Sequence, residues 1–409
     1  MNRVRRGTLL ILALVLAITS LWGCSAAKNI DYSEVLGYLC GEETAGRLSG
    51  DVGSERAAQE IEEQLLMLGV PSQMQTYTLV NYQNGSEKCS MQISIDGQIQ
   101  ECQKGQAYIP FYIYESIQFE GEITFNESAS DPQSKAIVYD SIDQISAKSR
   151  KFGCVLIQSE VLTKTPYPQE EVLTGAFISP ELYQAIATGG KSTIKLSFTS
   201  TPKELEAMNV IGKITGRDSS RAIVFSAHYD GCGADETGIY PSGVDNASGT
   251  VALLMIAEKL KDKYQASPPP VDIVFLFASG EEQGLYGSKE FVAKATYKDM
   301  VNINLDCIER DDTLKIEGNT QENLELLNAL GESIGAQKVK QTTGASDHAI
   351  FMGAGFTGVM ITTLDQEPFE TGIHTHDDGA DRVDLDMLSK LAADLTDFTE
   401  ENGDALFAK

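Results

Sequence analysis

The residues able to carry chemistry in this chain are few enough to name. There are four histidines, at positions 228, 348, 374 and 376, so imidazole chemistry falls to one or more of these. His228 sits in Ala227-His228-Tyr229-Asp230. Asp245 lies within a loop of small residues, Ser242-Gly243-Val244-Asp245-Asn246-Ala247-Ser248-Gly249. Glu281 and Glu282 follow Ala278-Ser279-Gly280, Asp306 follows Val301-Asn302-Ile303-Asn304-Leu305, and Ile373-His374-Thr375-His376-Asp377-Asp378 closes the series. These are nitrogen and oxygen donors with no thiolate among them, a set that suits Zn, Mn or Co. Three carboxylates and two imidazoles exceed the needs of one catalytic zinc with an open position. They suit two metals that share a bridging carboxylate. Taken singly, each residue has a plain structural alternative. Asp306 can be a turn or helix cap, Asp245 an N-cap, the Glu pair a solvated helix start, and His228 a buried structural histidine. The metal reading rests on the joint pattern.

Chemistry of this kind needs elements that bring the residues together. From Asn209 onward the rhythm is strand, loop, helix. Strands are predicted over 223–225, 271–277, 301–305 and 358–361, and amphipathic helices over 250–264, 288–296, 323–334 and 385–398. This alternation predicts an α/β fold with a mostly parallel (mixed) sheet sandwiched by helices. In such sheets ligands bind beyond the carboxyl ends of the strands, where His228, the Glu pair and Asp306 fall. Upstream, residues 30–68 read as largely helical, with Ile61, Leu65, Leu66 and Leu68 at helical spacing and Gly69 closing the element. Between them, 74–201 reads as a β-rich insert of short alternating segments such as 91–95, 136–139 and 153–157. The expected division is 1–23 as an export signal, 24–73 as an N-terminal helical part, 74–201 as the insert and 202–409 as the site-bearing domain. Asp96-Gly97 predicts a hairpin that sets Met91 opposite Cys102, with Cys89 on the same face and a Cys89–Cys102 disulfide feasible.

At 409 residues the chain is too long for one small core. With 59 acidic against 32 basic residues its net charge is −27, which excludes nucleic acid and adsorption to anionic lipid as partners. Arg3, Arg5 and Arg6 precede an apolar run from Thr8 to Leu21, which reads as an export signal rather than a membrane span. Leu21-Trp22-Gly23-Cys24 resembles the lipobox of bacterial lipoproteins. That resemblance implies lipid on Cys24 and a place on the outer face of the cytoplasmic membrane, the lipid being the sole membrane contact. An ordinary signal peptide or an uncleaved anchor is the alternative. Beyond Cys24, Cys40, Cys89, Cys102, Cys154, Cys232 and Cys307 permit disulfides in an exported protein.

The segments HYD, SGVDNASG, SGEEQGLYGS, NLD, SDHAIF and IHTHDD, in this order, resemble the M28 family of metallo-aminopeptidases, the co-catalytic zinc peptidases. The resemblance covers Asn209 to the C-terminus and extends to ETAGRLSGDVGSERAAQEIEEQL. The β-rich middle is similar to the protease-associated domain often inserted there. The resemblance implies two zinc ions bridged by Asp245, one held by His228 and Asp306 and the other by Glu282 and His374. Glu281 takes the general-base position. Asp230 takes that of the group orienting His228, in keeping with the usual second hydrogen bond of a metal-bound histidine. The family's His-Thr-x-x-Asp pattern fits His374 with Asp378 and leaves His376 at a variable position. The implied activity is release of residues from peptides with a free N-terminus. One departure stands out: Cys307-Ile308-Glu309 follow Asp306 where the family has Met, an aliphatic residue and Gly, so Glu309 and Arg310 are expected at the pocket rim. Cys232 and Cys307 are expected near the site. His348 is expected to start a helix capped by Ser346 or Asp347, with a substrate-pocket role as the alternative. Rival readings are a single-zinc glutaminyl cyclase, a catalytically inactive binding lipoprotein, and a phosphatase or deacetylase lacking basic residues for its substrate.

Overall fold

Two eight-stranded sheets organise the described residues. A computed structural model describes residues 30–82, 87–113, 116–165, 173–310, 312–318, 324–338, 346–364, 372–403 and 405–407. The export signal and Cys24 lie outside them. In chain order, α1 (Tyr32–Leu39), α2 (Val52–Met67) and β1 (Ser72–Asn81) come first. Next come β2 (Lys88–Ile95), β3 (Gln98–Cys102), β4 (Tyr108–Pro110), β5 (Ile117–Thr124), β6 (Lys135–Tyr139), β7 (Cys154–Gln158), β8 (Gly175–Ile178), α3 (Pro180–Thr188) and β9 (Ser192–Thr199). Then follow β10 (Lys203–Ile214), β11 (Asp218–His228), a short ribbon of β12 (Ala234–Asp235) and β13 (Gly238–Ile239), α4 (Ser248–Lys263), β14 (Val271–Ala278) and α5 (Tyr286–Lys294). The chain continues through β15 (Asp299–Leu305), β16 (Lys315–Gly318), α6 (Leu324–Ile334), β17 (Gln337–Lys338), α7 (His348–Gly353), β18 (Thr357–Thr362) and α8 (Leu385–Asn402).

The first sheet has the order β1-β10-β14-β11-β15-β18-β16-β17. Its four central strands, β14, β11, β15 and β18, run parallel, and β10 and β16 join them antiparallel. All eight residues of β14 are buried, as a strand covered on both faces requires. On one face Ile223, Phe225, Ile273 and Phe275 pack in the same cluster as Leu36 of α1, Ile61 of α2, Leu254 of α4, Leu330 of α6 and Leu391 of α8. On the other, Val224, Val274 and Leu276 meet Phe291 of α5 and Phe351 of α7. This is the expected α/β class. Each strand and helix anticipated after Asn209 overlaps an observed element; residue 323, the expected start of one helix, lies outside the described residues.

One expectation changes and another is refined. The first ten-residue strand, β1, belongs to this sheet: it pairs with β10 from Ser72↔Gly212 to Asn81↔Lys203, so the second sheet begins at Lys88 rather than near residue 74. A half-exposed edge strand alternates like the strands of the insert, and period-two alternation does not say which sheet receives it. The stretch 30–68 is largely helical, but as two helices. α1 and α2 are separated by a turn region in which Ala45, Gly46 and Arg47 all have positive φ. A Cβ on Gly46 would lie 2.2 Å from the Gly233 carbonyl oxygen, so only glycine allows this approach.

The second sheet has the order β3-β2-β9-β5-β6-β7-β8-β4 and its own core of Met91, Ile93, Val138, Leu156 and Leu196. The Asp96-Gly97 hairpin is present with φ of 52° and 83°, and Met91 faces Cys102. Cys89 and Cys102 are free thiols. Among the described residues no helix is long and apolar enough to cross a membrane.

Candidate metal centre

Adjacent parallel strands deliver their chemistry to one edge. His228 is the last residue of β11 and lies in register with Ala278, the last of β14. The turn after β14 carries Glu281 and Glu282, and Asp306 follows β15 directly. Asp245 comes from the turn that leads into α4, and His374 from the loop before α8. His228, Asp245, Glu282 and Asp306 are all buried.

Asp245 is the centre of the arrangement. Its Oδ1 lies 3.1 Å from His228 Nε2 and its Oδ2 lies 2.8 Å from His374 Nε2. His228 Nε2 is also 3.4 Å from Asp306 Oδ1, and His374 Nε2 is 3.3 Å from Glu282 Oε2. Each imidazole nitrogen thus faces two carboxylate oxygens at once, whereas one N–H can donate well to only one. Ligand atoms around a tetrahedral zinc with bonds near 2.0 Å stand ~3.3 Å apart, the spacing found here. The donor set therefore fits two divalent cations sharing Asp245.

The electrostatics agree. Burial alone would push the Asp245 carboxyl up, but the hydrogen bonds of both imidazoles hold it well below the usual range. Burial opposes charge on His228, yet the Asp306 and Glu281 carboxylates raise it well above its ordinary value. For His374 the burial effect is outweighed by Cys232, Glu282 and Asp245. Burial, then neighbouring acids, push Glu281 well up, and Glu282 is raised for the same reasons. Such crowding of acid in a low-dielectric site favours a bound cation.

Asp230 lies beside the Nδ1 of His228, as expected, and has a second task. Its Oδ1 is 3.6 Å from His228 Nδ1, too long for a hydrogen bond, while its backbone oxygen is at 3.3 Å. The carboxylate accepts the backbone N–H groups of Glu281 and Glu282, both at 3.3 Å, and so positions the turn that holds the two acids. Asp378 does the same for Asp245: it accepts N–H from Val244 at 2.8 Å and from Asp245 at 3.2 Å. His376 points elsewhere, to Thr237 Oγ1 at 2.9 Å and the Ile239 carbonyl at 2.8 Å. His348 begins α7, and burial lowers its pKa to about 4. Asp347 takes the N-cap position, as expected. It makes no side-chain cap bond, and the Ser346 hydroxyl is committed to Asp306. Glu309 is paired with Arg382, and Arg310 Nη2 donates to the Val383 carbonyl at 3.1 Å.

Several supporting residues carry no motif. Arg47, fully buried, donates to the carbonyls of Leu39, Tyr229, Pro241 and Ser242 and pins the loop after His228. A polar chain runs from Asn302 Nδ2 to Ser226 Oγ (2.8 Å), from Ser226 to Asn304 Oδ1 (2.7 Å), and from Asn304 Nδ2 to Ser346 Oγ (2.8 Å), ending on Asp306. Lys164, contributed by the insert, donates through Nζ to the Cys232 carbonyl at 2.7 Å and through its backbone N–H to the His374 carbonyl at 3.0 Å. The only sequence signal for these is the placement of polar residues inside apolar strands, as at Ser226, Asn302 and Asn304.

Residues 209–399 match the family described as Peptidase family M28. The fold is that of solved zinc aminopeptidases. An aminopeptidase from Aneurinibacillus sp. strain AM-1 superposes with a TM-score of 0.65 at 19% identity, covering 91% of this chain and 92% of that one. A zinc aminopeptidase from Bacillus subtilis gives 0.64 at 20% identity, covering 90% and 94%. The likeness to a glutaminyl cyclase from Bacteroides thetaiotaomicron is weaker, 0.50 at 13% identity, covering 90% and 95%. A "Probable zinc metalloprotease" of Pyrenophora tritici-repentis is 40% identical over 91 residues, 21% of this chain and 18% of that protein. The chain spans less than a third of the curated relatives it matches, 18% and 29% for the first two.

Proposed function

We propose that this protein is a two-zinc aminopeptidase that releases residues from the free N-termini of peptides. The observation that carries the proposal is Asp245, with one carboxylate oxygen turned to each of two imidazoles that each face a further carboxylate. His228 and Asp306 would hold one cation, Glu282 and His374 the other. Bound there, the cations would polarise the scissile carbonyl and acidify water.

The chain's own residues supply the rest. Glu281 neighbours the ligand Glu282 but sits with His228 and Asp306, within 4.8 Å between donor atoms. Its raised proton affinity suits a group that takes a proton from the attacking water and returns it to the leaving amine. Asp230 fixes the backbone of that turn, and Asp378 fixes the backbone of Asp245, so base and bridge are held by separate anchors. Rival readings fit less well. A cyclase needs one zinc, which leaves the second His–carboxylate pair without a purpose. A phosphatase needs a free cation, yet Lys164 is bonded to Cys232 and Arg382 to Glu309. An inactive lipoprotein has no use for a base beside a complete ligand set.

Purified protein incubated with short peptides, with and without a chelator and with zinc or cobalt restored, tests the reading. Stepwise, chelator-sensitive release of N-terminal residues is expected, and N-acetylated peptides should remain intact. Equal cleavage of acetylated peptides would refute the aminopeptidase assignment. The basic start, apolar run and lipobox support export and anchoring through lipid on Cys24. Fatty-acid labelling lost in Cys24→Ser is the corresponding check, and labelling retained in that variant refutes it.

A further inference from the structure

The donor set read from the sequence contains no sulfur, but the folded chain brings one to it. Cys232, four residues beyond the end of β11, is completely buried. Its Sγ falls with a Glu282 oxygen and a His374 nitrogen in one group whose ligand atoms all lie within 4.8 Å of one another. Glu282 divides its two oxygens between these neighbours: Oε2 faces His374 Nε2 at 3.3 Å and Oε1 faces Cys232 Sγ at 3.9 Å. Asp245 Oδ2 approaches the same His374 nitrogen at 2.8 Å. Three donors therefore form one group, and Asp245 meets it at the His374 nitrogen.

From this geometry we infer that Cys232 is a fourth protein ligand of the cation held by Glu282, His374 and Asp245. The inference rests on the two-cation reading of the site. A tetrahedral edge between a sulfur bonded at ~2.3 Å and an oxygen at ~2.0 Å is ~3.5 Å. The observed 3.9 Å needs only a few tenths of an ångström of closure. As an S–H···O contact to Glu282 Oε1 it lies at the outer limit for such a bond. Cys307 differs on this point. It lies beside the other pair of ligands, but its thiol already donates to Asp306 Oδ1 at 3.1 Å. The backbone of Cys232 is held from both sides, by its N–H to Ser242 Oγ at 3.4 Å and its carbonyl to Lys164 Nζ at 2.7 Å. Binding would exchange the thiol proton for the cation, with the proton released to solvent.

The two cations are then unlike. The one at Cys232 would add sulfur to nitrogen and two carboxylate donors, a set that would hold zinc the more tightly. The one at His228 and Asp306 keeps its open position and would be the exchangeable, substrate-facing partner. Soft thiolate in the first also favours zinc over manganese there.

X-ray absorption of the zinc-loaded full chain and the near-ultraviolet spectrum of the cobalt(II)-loaded chain test this. A sulfur shell at ~2.3 Å is expected in the zinc protein, averaging half a sulfur per metal. A thiolate-to-cobalt charge-transfer band is expected in the unaltered chain and in Cys307→Ser, and should vanish in Cys232→Ser while visible cobalt bands persist. Visible cobalt bands with no charge transfer, or a zinc spectrum without sulfur, would overturn the ligand assignment and leave the two-cation reading standing. A charge-transfer band that survives Cys232→Ser and disappears in Cys307→Ser would also overturn it. Failure of the folded chain to take up metal at all would remove both.

Discussion

Lys164 joins the insert to both loops of the site, by its side chain to the Cys232 carbonyl and by its backbone N–H to the His374 carbonyl, and replacing the side chain isolates the first connection. In Lys164→Met the apolar stem survives and the ammonium is lost. Three effects can be sized. The hydrogen bond from a charged donor to the Cys232 carbonyl, at 2.7 Å between buried groups, contributes ~1.5–3 kcal/mol. The ammonium also lies 4.9 Å from the Tyr240 ring centroid, a cation–π contact of ~1 kcal/mol. Relief of the ammonium's desolvation offsets part of the sum. A net loss of ~2 kcal/mol follows, and it should appear as a lower urea midpoint with an unchanged slope, followed by far-ultraviolet circular dichroism. Lys195→Met is the control. That side chain is 66% exposed and pairs with Glu120 at 3.6 Å, so its removal should cost less than ~0.5 kcal/mol. Because the backbone N–H of residue 164 still reaches His374, peptide hydrolysis should fall less steeply than stability. If both variants unfold at the wild-type urea concentration, the insert is not fastened through Lys164 and the reasoning fails.

Two further predictions concern Glu281 and Asp51. Glu281→Gln should lower turnover by roughly 10²–10⁴ with metal content unchanged by elemental analysis; strong residual hydrolysis would sink the general-base role. Burial pushes the Asp51 carboxyl up to about 6, despite the N–H groups of Ser54 and Gly53 that it accepts. The folded chain thus holds this proton more tightly than the unfolded one, whose carboxyl titrates near ~3.9, and ionising it costs stability as pH rises between those values. Asp51→Asn keeps an acceptor for Ser54 N–H and removes the charge. The variant should therefore be the more stable protein at pH 7, with the advantage fading toward pH ~4; equal urea midpoints at pH 7 would count against it.

The strands that bear the site were legible because each carries β-branched or other apolar residues and runs into a polar one: β11 into His228, β15 into Asp306 just past its end. The choice of His374 over His376 was legible only through the motif, since nothing local distinguishes two histidines separated by one threonine. What separates them is tertiary. His374 takes φ +57° and turns to Asp245, while His376 stacks on Tyr240 at 4.2 Å. Asp230 was read as the partner of His228 from the family pattern and the usual second hydrogen bond of a metal-bound histidine, and nothing in that reading showed that its carboxylate also serves a turn fifty residues away. Arg47 and Lys164 left no trace in the sequence, because their partners are carbonyl oxygens, which every residue has. Cys232 was noticed but left out of the donor set, since proximity to a motif does not give direction.

The pairing of β1 with β10 has a consequence for how the chain reaches this structure. Asn81 and Lys203 are register partners, so everything from 82 to 202 is a loop of a single hairpin. Closing that loop while it is still unfolded would cost ~4 kcal/mol in chain entropy beyond a constant term. An independently collapsed second sheet, with its own core, removes most of that cost by delivering the two ends side by side. The hairpin at the edge of the first sheet is thus expected to close late, at the pace of the insert's own folding; amide protection of β1 gained before that of the second sheet in pulsed hydrogen exchange would refute this.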